Sequence, residues 1–182
     1  FEGARDFSEG MAVVSNGNVL TKDLKCGYID KSGNIILEPQ FDNAESFSEG
    51  LAAVQVGNKI IAYIESNYED FDGYEKWGFI NEKGEFVLKP QFDNADSFNE
   101  GLACVEINEK YGYIDKNGNF AIEPQYDFAF SFNEGLAPVE INGKWGYIDK
   151  NGKTAIEAQF DLTYGFSQGL AAIKINEKWG FI

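Results

Sequence analysis

"EKWGFINEKGEFVLKPQFDNADSFNEGLACVEIN", Glu75 to Asn108, is followed by "EKYGYIDKNGNFAIEPQYDFAFSFNEGLAPVEIN" from Glu109 and by "GKWGYIDKNGKTAIEAQFDLTYGFSQGLAAIKIN" from Gly143. One phrase is written three times, and its register extends through the chain. Aligning on the aromatic ahead of the acidic loop gives Phe1, Phe41, Phe92, Tyr126 and Phe160, with steps of 40, 51, 34 and 34 residues. The residue before each "G-aromatic-I" triplet, at Cys26, Trp77, Tyr111, Trp145 and Trp179, gives steps of 51, 34, 34 and 34. The basic period is therefore 34, with about 6 and 17 extra residues in the first two steps. A fixed period of this size marks an array whose neighbouring units bury each other's faces. The whole chain, residues 1–182, reads as one such array. It opens and closes inside a unit, and is expected to be a piece of a longer protein.

Within each period the patterning is that of strands. "LACVEI" (Leu102 to Ile107) and "YGYID" (Tyr111 to Asp115) alternate in character from residue to residue. "NFAIE" follows as a third strand that Pro124 is expected to end. The "NEK" and "KNG" links are too short for parallel connections, so the strands form an antiparallel meander. The Asn-Gly of "KNG" suits a two-residue hairpin turn. In the loop that follows, Tyr126, Ala129 and Phe132 are spaced three apart, as are Phe41, Ala44 and Phe47, and Phe92, Ala95 and Phe98. That spacing predicts one short helical turn packed under the sheet, stopped by Gly50, Gly101 or Gly135 as a cap. Gly27, Gly78, Gly112, Gly146 and Gly180 each follow the slot that tryptophan fills in three units. A bare Cα there permits close approach, and the sequence reading places one unit's contact with the next at these glycines.

"KWGFI" (Lys76 to Ile80), "KWGYIDKNGK" (Lys144 to Lys153), "PQFD" (Pro90 to Asp93) and "SFNEGLA" (Ser97 to Ala103) together resemble the bacterial WG repeats, also called KWG repeats. The resemblance spans essentially the whole chain. It implies an all-β repeat protein of variable repeat number, often set in larger proteins, some of them exported or at the cell surface. Cys26 and Tyr111 depart from the pattern where tryptophan is expected, and Ala158 stands in place of the loop proline. Thr163 and Gln168 replace the loop alanine and glutamate of the last unit. Such drift suits scaffolding better than catalysis.

Composition narrows the chemistry. With 30 Asp+Glu against 15 Lys+Arg, the chain carries a formal charge of −15. That balance repels phosphate backbones and anionic membrane surfaces. Histidine is absent, which removes the commonest general base and metal ligand together. Cys26 and Cys104 lack paired-ligand spacing and read as packing substitutions. No apolar run approaches the ~20 residues that span a bilayer, so direct membrane insertion is not expected.

The remaining candidates are repeated carboxylates, turn aspartates and aromatics. Asp42 with Glu49, Asp93 with Glu100, and Asp127 with Glu134 recur as pairs. A glycosidase needs one asymmetric pair with separated proton affinities, and a repeated set reads better as loop capping. The "DKSG" and "DKNG" turns at Asp30, Asp115 and Asp149 are explained by the hairpins alone. Glu69, Asp70 and Asp72, in the insertion over 58–76, crowd before Gly73 and form a weak calcium candidate. Tyr63, Tyr68, Phe71 and Tyr74 in the same insertion break the repeat and are candidates for partner contact. Trp77, Gly78, Tyr111, Gly112, Trp145, Gly146, Trp179 and Gly180 are assigned to structure, the rings to burial. No cofactor and no catalytic residue are assigned.

These readings converge on an all-β array of about five three-stranded antiparallel units with short helical-turn loops. An open solenoid or superhelix is favoured, with a closed propeller-like ring as the alternative. The expected function is a non-enzymatic scaffold for protein or peptide partners. A carbohydrate or cell-envelope module with exposed Trp and Tyr is the second reading, and a glycosidase using loop carboxylates a remote third.

Overall fold

Short alternating runs separated by turns leave the chain only one way to satisfy its backbone, the antiparallel ladder. The computed structural model describes residues 1–17, 24–57 and 75–182. Among these it contains strands and no helix, arranged as five antiparallel sheets of three or four strands. The chain divides into two compact units, Phe1–Ser97 and Phe98–Ile182.

In the first unit, β1 (Gly3–Ala4), β2 (Met11–Asn16), β3 (Lys25–Asp30) and β4 (Ile35–Phe41) form one sheet in that order. The plan recurs in β5 (Asn43–Ala44), β6 (Ala52–Val56), β7 (Lys76–Ile80) and β8 (Phe86–Phe92), after which β9 (Asn94–Ala95) follows. In the second unit, β10 (Ala103–Ile107), β11 (Lys110–Ile114) and β12 (Phe120–Tyr126) lie side by side. β13 (Phe128–Ala129), β14 (Leu136–Ile141), β15 (Lys144–Asp149) and β16 (Thr154–Phe160) form the next sheet. β17 (Leu162–Thr163), β18 (Ala172–Ile175) and β19 (Lys178–Phe181) complete the series. The long last strand of a sheet passes into the short first strand of the next after a single residue, as at Asp42, Asp127 and Asp161.

The expected helical turn is not formed. Phe128–Ala129 is a strand paired with Val139 and Glu140, and Asn133 and Leu136 exchange both backbone bonds around Glu134–Gly135. Both turn residues are left-handed, with φ of 53° and 82°, so this is a two-residue hairpin and the glycine serves it rather than a helix cap. A bend at Asp127 followed by extended backbone produces the spacing of three that mimics a helix.

The third long strand also differs from expectation, because it runs through Pro124 to Tyr126. Tyr111 pairs with Tyr126 and Tyr113 with Ile122, so Glu123, Pro124 and Gln125 arch over the single residue Gly112. Proline is tolerated because a bulge removes its residue from the ladder. The side-chain amide of Gln125 donates to the Glu123 carbonyl at 3.3 Å and closes the arch, as Gln91 does to Lys89.

The core follows the same repeat. Tyr28, Tyr113 and Tyr147 are fully buried and meet Phe47, Phe132 and Phe166 with ring centroids 4.9, 4.7 and 5.0 Å apart. Each phenol donates to a backbone carbonyl, of Glu45 at 2.7 Å, Phe130 at 2.8 Å and Tyr164 at 2.9 Å. A buried hydroxyl is thereby satisfied. Burial pushes the Tyr28 phenol well above its usual range, so it stays a donor.

Candidate functional site

The ring slot comes first among the residues singled out in the sequence. Trp77, Tyr111 and Trp145 are buried on central strands, whereas Trp179 in the last sheet is 52% exposed and stacked on Tyr164. The three buried rings do not form an exposed sugar-binding ladder.

The glycine beside each ring has a different purpose from the one expected. A Cβ on Gly146 would lie 2.5 Å from the Ile156 carbonyl oxygen and 2.7 Å from the Ala158 nitrogen. On Gly78 and Gly112 it would meet the equivalent atoms at 2.7 Å. These are backbone atoms of the neighbouring strand in the same sheet, at the bulge, so the close approach is within a sheet and not between units. Gly180 faces nothing within 4 Å, and among the described residues β19 has no further strand beside it.

The repeated carboxylates are engaged separately. Asp127, the crossover residue, takes the Lys110 ammonium at 2.6 Å with one oxygen and the Asn142 N–H at 2.7 Å with the other. Asp161 does the same with Lys144 at 2.6 Å and Asn176 at 2.7 Å. Asp42 is paired with Lys25 and accepts the Gly57 N–H at 2.5 Å, and Asp93 takes Lys76 at 2.5 Å. In three of these sites one aspartate ties the lysine of its own sheet to the hairpin of the next. The lysine bond and then the backbone N–H hold the Asp127 and Asp161 carboxyls below the ordinary range.

The loop glutamates point elsewhere. Glu134 accepts the N–H groups of Gln168 and Gly169 at 2.6 and 2.8 Å, and Glu9 those of Glu49 and Gly50 at 2.7 and 2.9 Å. Glu100 accepts the Gly135 N–H at 3.0 Å and pairs with Lys150 at 3.1 Å. Burial alone would raise the Glu100 carboxyl, but the Lys150 and Gly135 bonds lower it overall. Glu9, Glu100 and Glu134 thus satisfy the hairpin turn one repeat further on, and Asp42, Asp127 and Asp161 a crossover. Asp127 and Glu134 direct their oxygens at different partners.

The turn aspartates cap their own loops. Asp115 Oδ1 accepts the N–H groups of Asn117 and Asn119 at 2.8 and 2.9 Å, while Gly118 N–H donates to the Asp115 carbonyl. In this turn only Gly118 has a positive φ, of 82°, so the link is longer than the expected two-residue Asn-Gly turn. In the second sheet Asn81 makes the same bonds to Lys83 and Glu85, both at 3.0 Å. A neutral residue makes the same bonds, so the carboxylate charge is not required to cap the turn. Among the described residues no cluster of three or more His, Cys, Asp or Glu could hold a metal ion. The calcium candidates Glu69, Asp70 and Asp72 and the contact candidates Tyr63, Tyr68, Phe71 and Tyr74 lie outside the described residues.

The described strands locate both departures from the period. Asn108–Glu109, Asn142–Gly143 and Asn176–Glu177 are two-residue links between β10 and β11, β14 and β15, and β18 and β19. The corresponding links are 17–24 between β2 and β3, and 57–75 between β6 and β7. The two insertions therefore occupy one corner of the sheet plan in successive sheets. The first insertion is the counterpart of the second, a relation visible in the strand ends and not in the loop residues. Cys26 is free and buried, as its reading as a packing change expects, and a cavity of about 250 Å³ adjoins it.

Sheets of one plan, joined by one-residue crossovers and tied by repeated carboxylates, define a β-sheet repeat protein. The family described as "WG containing repeat" matches residues 1–19, 27–59, 77–111, 111–145 and 145–179. The chain belongs to that family. No curated protein matches it.

Proposed function

We propose that this chain is a non-enzymatic scaffold that presents its two long connections to a protein or peptide partner. The observation that carries the reading is their placement, with 17–24 and 57–75 replacing two-residue turns at one corner of two successive sheets. The repeat closes that corner elsewhere with two residues, so the added chain is not needed to build a sheet. Loops carried on a rigid framework are the usual seat of recognition. A net charge of −15 favours a basic partner and disfavours nucleic acid. The repeated carboxylates supply this framework with hydrogen bonds and ion pairs, consistent with a scaffold rather than a hydrolase.

The test is to replace 17–24 with Asn-Gly and 57–75 with Asn-Glu, the links of the other sheets. The shortened protein should keep its melting temperature within a few degrees, since loop length costs little. In pull-downs from the source cells it should lose the partners that the parent retains. An unchanged set of partners on a folded, shortened protein would overturn the reading.

A further inference from the structure

In the fourth sheet the Trp145 indole stacks on Phe130, with centroids 5.1 Å apart and planes 18° from parallel, and lies 5.9 Å from Phe128. The fifth sheet repeats the stack with Trp179 on Tyr164, at 5.7 Å and 10°. The first sheet has the same register and lacks the rings. Phe128 pairs with Glu140 and Glu140 with Trp145; correspondingly Gly3 pairs with Ser15 and Ser15 with Cys26. Gly3 thus takes the place of Phe128, Arg5 that of Phe130, and Cys26 that of Trp145. Two large rings are replaced by a hydrogen and a thiol. What remains is the cavity of about 250 Å³, lined by Gly3, Arg5, Val13, Ser15, Leu24 and Cys26 among others.

We infer that this cavity binds one neutral, planar aromatic ring of indole size, seated where other sheets place their own tryptophan. An apolar cavity of about 150 Å³ already accepts benzene, so this volume suits a bicyclic ring. Arg5 occupies the position of the stacking ring, and a guanidinium plane stacks on aromatic faces as Phe130 does. Its charge is balanced by an ion pair with Glu45, which favours a neutral ring over an anion. The Ser15 hydroxyl, 2.7 Å from where a Gly3 Cβ would stand, is available to accept a ring N–H. Leu24, the last residue of the first long connection, borders this site. Binding is assigned to Gly3, Arg5, Ser15 and Cys26 and is tested on the parent protein with both connections intact, so their fate as partner contacts does not decide it.

Titration calorimetry with indole should give saturable, one-to-one binding to the parent protein. Cys26→Trp restores the repeat's own ring and should weaken indole binding at least tenfold while raising Tm. Backbone amide shifts in the parent should centre on Gly3, Ser15 and Cys26, a readout that holds even if the variant does not fold. N-acetyltryptophanamide forms a second arm. Binding as tight as indole's assigns the site to a tryptophan on a peptide, and binding of indole alone assigns it to a free small molecule. Absence of saturable binding by either probe, equal binding by folded Cys26→Trp, or shifts confined to other residues would overturn the inference.

Discussion

Gly146 and Gly180 hold one repeat position in two environments, and together they isolate the purpose of the glycine. Gly146 faces the backbone of its neighbouring strand at 2.5 Å, while Gly180 faces open space. Neither is recorded with a positive φ, so the difference between them is steric rather than conformational. Gly146→Ala should destabilise by roughly 1–3 kcal/mol, the usual cost of overpacking a rigid site. Gly180→Ala should stay within about 0.5 kcal/mol of the parent, as surface changes do. Paired urea unfolding curves decide this, and equal midpoints for the two variants would remove the steric account. The need for glycine was legible in the sequence, since only a bare Cα explains its return beside a large ring. Which backbone approaches it was not. The partner strand follows ten residues later through a bulge, and proline in that strand reads locally as a strand end.

Turns and crossovers hold most of the acidic side chains, so the elements themselves respond to pH. Asp30, Asp115 and Asp149 have carboxyls lowered chiefly by bonds from the side chain or backbone of the residue four further on. Asp127 and Asp161 are lowered chiefly by their lysine partners. A carboxyl lowered in the folded chain contributes stability that is complete above the unfolded carboxyl range, near pH 4. That stability is lost as the pH falls through the lower folded values. Urea midpoints should therefore be level from about pH 7 to pH 5.5 and decline below about pH 4. Asp149→Asn should be nearly neutral at pH 7, because Asn81 already fills the equivalent turn, and should soften the acid decline. A midpoint that rises on acidification would contradict this assignment. Strand order was readable from alternation and turn residues. The loop after the third strand was misread because its period of three arises from a bend at the crossover aspartate, where the chain passes from one sheet to the next, a tertiary feature with no local signature.

For the molecule as a whole, the parts of the sequence that repeat build and tie sheets, and the parts that depart from the repeat are not needed for that. The arithmetic of the period already showed 6 and 17 surplus residues, yet only the strand ends place both surpluses at one corner. Cys26 was visible as a departure from the tryptophan slot, but a vacancy needs two missing rings, and Gly3 stands 23 positions earlier in the chain. Local reading does not join them; the ladder through Ser15 does. The central claim is that the repeated acids hold lysines and backbone of the sheets, tying one sheet to the next at Asp42, Asp127 and Asp161, and are not binding chemistry. Its most direct test is equilibrium unfolding with Asp42, Asp93, Asp127 and Asp161 all changed to alanine, against a control carrying asparagine at Asp30, Asp115 and Asp149. The account predicts a clearly lower and broader urea transition for the crossover variant, because each change removes a lysine pair together with any backbone bond the aspartate accepts. The control should unfold close to the parent. Indistinguishable transitions for parent and crossover variant would contradict the account.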